Sequence, residues 1–125
     1  MPHYLISSYL PDDYDPSAES QETIEAIYAL NREMIAAGVR RFAGGLSPAS
    51  NAKTLQKQPD GKLLVTDGPY TETKEHIGGL SIVEVASLEE ALAWARKGAV
   101  LSRVAVEVRE IFFRPAPSLE TEGSK

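Results

Sequence analysis

Two stretches of helical periodicity, each set between segments of strand character, constrain the fold of this chain more than any other feature. In the first, Ile24, Ile27, Tyr28, Met34 and Ile35 recur at three- and four-residue steps and form one apolar stripe. Ser20 precedes it as a helix N-cap, Glu22 stands where the helix dipole favours an anion, and Gly38 follows at the C-terminal cap position. The second opens on a capping box, Ser87 with Glu90 three residues on, each expected to reach the other's amide. Leu88, Ala91, Leu92 and Ala95 give its buried stripe, Trp94 lies at the edge, and Gly98 is the expected cap.

Four segments around these helices read as strands: residues 3–10, 39–48, 76–86 and 103–113. The first is apolar on both sides, Tyr4, Ile6 and Leu10 against Leu5 and Tyr9, which suits a sheet covered on both faces. The last alternates cleanly, Val104, Val106 and Val108 on one side and Ala105, Glu107 and Arg109 on the other. Between the second and third strands, "KTLQKQ" and "KLLVT" flank Pro59-Asp60-Gly61, a strong hairpin signal. Gly78-Gly79 bends the third strand or admits a close neighbour.

With right-handed crossovers, this order predicts an α+β, ferredoxin-like βαββαβ fold with an inserted β-hairpin. Its helices cover one face of the sheet. The other face carries too many apolar residues to stay wet, so a second copy is expected to pair with it as a C2 homodimer.

Composition narrows the function. A length of 125 residues fits one domain. We expect that domain over residues 1–114, with "APSLETEGSK" belonging to a mobile tail over 115–125. With 42% hydrophobic and 25% charged residues, the class is ordinary soluble globular. There is no cysteine, so thiolate catalysis and cysteine-based metal sites are excluded, and two histidines far apart do not suggest a metal. Thirteen basic against 18 acidic side chains, without a basic stripe, argue against nucleic acid. No apolar run could cross a bilayer and the amino terminus does not read as a signal peptide, so the expectation is a cytoplasmic protein with no membrane partner. Neither a phosphate loop nor a dinucleotide fingerprint occurs, and no cofactor is expected.

"VTDGPYTETKEHIGG" (65–79) resembles the signature of the DGPF-motif group within the YCII-related family, with Tyr70 where that group usually has phenylalanine. "AAGV" (36–39), "GGLSP" (44–48), "LEEALAWA" (88–95) and "VEVRE" (106–110) fall in the matching order, so the resemblance covers roughly residues 3–112. It implies a dimeric α+β barrel of ferredoxin-like subunits. The wider superfamily includes isomerases, small monooxygenases and haem-dependent enzymes that use a cavity between helices and sheet. Some YCII-related proteins are suspected of acid–base chemistry through a histidine and an aspartate, and the DGPF group often accompanies extracytoplasmic-function sigma factors. Fold alone does not choose among these.

Asp67, at a strand end before Gly-Pro, is the candidate general base for a carbon acid; it equally suits capping its own turn. Tyr70 offers a hydroxyl to a ligand or fills a core position. If Thr71 caps a helical turn, Glu72 and Glu75 stand on one side of it, with Lys74 beside them, and close carboxylates raise one another's proton affinity. Arg109 is placed to clamp a ligand carboxylate or to form an interface ion pair. His3 and His76 open two strands and match no catalytic motif. The functional expectation is therefore a small-molecule enzyme, an isomerase, lyase or cofactor-independent oxygenase, with Asp67 as base. The alternative is a non-catalytic ligand-binding or protein-interaction module linked to sigma-factor regulation.

Overall fold

The computed structural model describes residues 1–114; the segment 115–125, expected as a mobile tail, lies outside the described residues. Six strands and two helices follow one another as β1 (His3–Pro11), α1 (Gln21–Ala36), β2 (Arg40–Gly45), β3 (Lys53–Lys57), β4 (Leu63–Asp67), β5 (Glu75–Glu84), α2 (Leu88–Ser102) and β6 (Val106–Ile111). Four strands form an antiparallel sheet in the order β2-β5-β1-β6, and β3 and β4 pair only with each other. This is the ferredoxin-like arrangement with its inserted hairpin. The hairpin turns where Pro-Asp-Gly demands it: Gly61 has φ 88° and its amide donates to the Gln58 carbonyl at 2.9 Å.

Both helices pack on one face of the sheet. Tyr4 and Ile6 of β1 and Val83 of β5, with Val85 just beyond it, meet Met34 of α1 and Ala91 and Ala95 of α2; Leu30, Trp94, Val106 and Val108 close around them. Glu107 and Arg109 alternate with the valines and lie on the opposite, uncovered face. That face also carries Phe42, which is 55% exposed, and Leu5, Leu80 and Ile82.

The helix limits differ from their sequence patterns for physical reasons. In α1 the inward seam runs through Ile27, Leu30 and Met34, while Tyr28 and Ile35 are 61% and 57% exposed. The other half of the apolar stripe is thus left to solvent. In α2 the helix continues past Gly98 to Ser102 and ends on Arg103, whose φ of 61° makes it the left-handed cap. Leu101 continues the groove between the helices beyond Gly98, and Leu30 lies beside Gly98, so the glycine is an interior helical position here rather than a cap. The capping box is also displaced: Ser87 Oγ accepts from the Glu90 amide at 3.2 Å, but the Glu90 carboxylate takes the amide of Ala86 rather than that of Ser87.

Two bulges shape the sheet. Ser8 faces Gly79 and Tyr9 faces Ile77, so Gly78 is an extra residue on β5. A Cβ at Gly78 would lie 2.2 Å from Leu10 Cδ1, so the glycine lets that side chain lie across the strand. On β2, Arg40 faces Val83 and Phe42 faces Ile82, which makes Arg41 the extra residue.

Candidate functional site

Where β1 leaves the sheet, its chain passes beside the start of β5. The Asp12 amide donates to the Lys74 carbonyl at 2.8 Å, bringing the "PDD" loop against the end of the Asp-Gly-Pro-Tyr corner. His76 stands at this junction. Its Nδ1 is 2.7 Å from Asp12 Oδ1 and its Nε2 is 3.0 Å from the Thr71 carbonyl oxygen. Both partners are acceptors, so the ring satisfies both only when both nitrogens carry protons. The Thr71 carbonyl first and the Asp12 carboxylate second raise the His76 pKa above its ordinary 6.5, against a smaller opposing effect of burial. The arrangement favours an imidazolium held between two loops.

His76 and Asp12 line a cavity of about 280 Å³ with Leu10, Tyr14, Pro48 and Gly78. Leu10, Tyr14 and Gly78 also wall a second cavity of about 530 Å³, which lies between the sheet and the helices. Ser8 and Ser81 from the sheet, Asn31 from α1, Trp94 from α2 and Arg40 from β2 line this inner space. Burial, and after it the Glu19 carboxylate, push the Tyr14 hydroxyl above its ordinary value, keeping it a protonated donor at the boundary of the two. A wider groove of about 790 Å³ runs between α1 and α2, but alanines and leucines line it, with Arg96, Lys97, Glu33 and Glu89 at its rim. It gathers no convergent acid–base group.

The residues singled out in the sequence are distributed differently from a single cluster. Asp67 is at the root of the hairpin, its side chain 85% exposed and 2.6 Å from Lys53 Nζ. It lines neither cavity. Tyr70 is 70% exposed rather than buried in a core. No helical turn follows Thr71. Thr73 Oγ1 instead accepts from the Glu75 amide at 3.2 Å and donates to the Glu75 carbonyl, a local turn that leads straight into β5. Glu72 and Lys74 are exposed in that turn, and Glu75 starts the strand opposite Pro11, so the two glutamates do not stack. Arg109 lies on the uncovered sheet face, away from both cavities. His3 is at the far end of β1, 2.9 Å from Glu84 and edge-on to Phe113.

What sequence reasoning missed is Asp12 as the partner of His76. The two stand 64 positions apart, and the antiparallel pairing of β1 with β5, which sets Leu10 opposite His76 and Pro11 opposite Glu75, brings them together. Among the described residues there is no cluster of three or more His, Cys, Asp or Glu side chains suited to a metal ion, and no helix long and apolar enough to cross a membrane.

Comparison with known proteins agrees with this architecture. An uncharacterised protein of Rhizobium meliloti (strain 1021) is 36% identical over 78 residues, which is 62% of this chain and 62% of the length of that relative. The family model of the YCII-related domain matches residues 1–113. A match over nearly the whole chain, on a fold of the kind this family resemblance implies, establishes that the chain belongs to the family of YCII-related domains.

Proposed function

We propose that this protein is a cytoplasmic small-molecule enzyme of the isomerase, lyase or cofactor-independent oxygenase type, working as a homodimer and moving a proton with the Asp12–His76 pair. One observation carries the reading: an imidazole with a raised pKa, oriented by a carboxylate and by the carbonyl of Thr71, forms part of a cavity wall. Histidine is the side chain whose proton affinity lies nearest neutrality. A raised value makes it a proton donor to a developing oxyanion, with Asp12 stabilising the charged ring. The exposed Asp67, paired with Lys53, takes a supporting role at the hairpin root in place of the base assigned to it by the sequence. The apolar sheet face bearing Phe42, Leu80 and Ile82 supports pairing with a second copy.

The test is turnover. A panel of enol-forming and lactone substrates should reveal an activity that falls at least a hundredfold in His76→Ala and in Asp12→Asn, each with an unchanged circular dichroism spectrum. Activity that survives both substitutions contradicts the assignment. A second reading, a non-catalytic ligand-binding or protein-interaction module, draws on the engagement of both ring nitrogens, since a proton at Nε2 must first leave Thr71 before it can move. Saturable ligand binding without turnover, or a sigma-factor partner in pull-down, favours that reading.

A further inference from the structure

The inner cavity is lined by a cation that forms no ion pair among the described residues. The neighbouring arginines 40 and 41 have separate fates. Arg41, the bulged residue, sends Nε to Glu84 at 3.1 Å and a second nitrogen to the Gly38 carbonyl at 2.9 Å. Arg40 is partly buried, lines the inner cavity, and makes no side-chain hydrogen bond or ion pair among the described residues. The bulge explains the placement. In a regular strand Arg40 and Phe42, two apart, would share a face. The extra residue between them sets Arg40 beside Val83, which belongs to the helix-covered core, while Phe42 pairs with Ile82 on the uncovered side.

A partly buried arginine without a carboxylate partner keeps its charge and its donors open to an anion entering the cavity. Its planar fork of donors matches a carboxylate in geometry as well as sign. The rest of the cavity has the character of an apolar slot with a few polar points. Trp94, Met34 and Leu30 offer flat and flexible apolar surface, while Ser8 and Ser81 stand on adjacent strands. Asn31 Nδ2 gives one of its two hydrogens to the Ile27 carbonyl, which leaves one donor and the side-chain oxygen for a ligand. The one acid lining the space, Glu19, is the neighbour of Tyr14 that helps raise that hydroxyl's pKa.

We infer that the inner cavity binds a small organic acid with an apolar or aromatic body, its carboxylate on Arg40 and its body against Trp94 and Met34. This goes beyond the proposed function, which concerns the smaller cavity beside His76, and it does not depend on proton transfer there. Isothermal titration tests it with benzoate and hexanoate as the acids and benzamide as the neutral counterpart of benzoate. At least one acid should bind saturably below 10 mM, with benzoate at least tenfold tighter than benzamide if it is the acid that fits. Arg40→Gln should weaken the acid at least tenfold, and Arg40→Lys should weaken it less. Lys57→Gln removes the same charge on the remote hairpin and should leave binding unchanged, as should His76→Ala.

The inference is overturned if neither acid binds, if benzoate binds and benzamide matches it, or if Arg40→Gln binds the acid as the wild type does. A folded Arg40→Gln protein, checked by its melting transition, is part of the result. If that variant unfolds, the comparison of Arg40→Lys with the wild type decides, and equal acid binding overturns the inference. Loss of turnover in His76→Ala with acid binding retained separates the two proposals.

Discussion

At residue scale the junction of Asp12, His76 and Thr71 makes stability depend on pH in a defined direction. The folded pKa of His76 lies above its ordinary 6.5. The stabilisation is therefore complete below about pH 6.5 and is lost as the pH rises through the folded value. Urea titrations of wild type and His76→Gln should show the larger loss of stability at pH 5.5 and a smaller one at pH 8.5; a difference that grows with pH contradicts the hydrogen-bond geometry. Asp67→Asn removes only an exposed ion pair with Lys53, and the same titration should find a change within about 0.5 kcal/mol. Asp67 was conspicuous in the sequence because it sits in a distinctive motif. Asp12 was not, because a loop aspartate acquires its meaning only from the strand register that brings His76 to it.

At the scale of elements, local chemistry was legible and long-range packing was not. Ser20 and Ser87 cap their helices as expected, accepting from the amides of Thr23 and Glu90. The end of α2 was not legible, since glycine normally stops a helix but here has Leu30 beside it and a further turn of helix beyond it. Gly98→Ala should therefore stabilise the protein by about 0.5–1 kcal/mol, because its new Cβ lies 3.9 Å from Leu30 Cδ2, an ordinary contact. A lower melting temperature would show that the helices need the closer approach. Gly78 is the opposite case. Its Cβ would meet Leu10 Cδ1 at 2.2 Å and Cγ at 2.6 Å, so Gly78→Ala should cost about 1–3 kcal/mol, and Leu10→Ala in the same chain should recover part of it. Additive losses in that double-mutant cycle would contradict the contact.

At the scale of the whole molecule, the order of strands and helices led directly to the sheet β2-β5-β1-β6 and to one covered face. Two amphipathic helices with strands between them leave few ways to bury both stripes, which is why topology was the most readable property. The sites were less readable because they arise from irregularities. One extra residue at Arg41 sets Arg40 among the cavity-lining residues, and one at Gly78 opens the strand to Leu10. A homodimer closing the face of Phe42, Leu80 and Ile82 should give twice the 13.6 kDa chain mass in light scattering at micromolar concentration. A monomer there removes the second copy from the proposal and leaves the cavities as they are.

The most direct measurement is the titration of the His76 imidazole followed by nitrogen and carbon NMR. In the wild type the ring should stay protonated above the ordinary histidine range, and Asp12→Asn should bring its midpoint down towards 6.5. A ring that titrates at or below 6.5 in the wild type, or that ignores the loss of Asp12, contradicts the account.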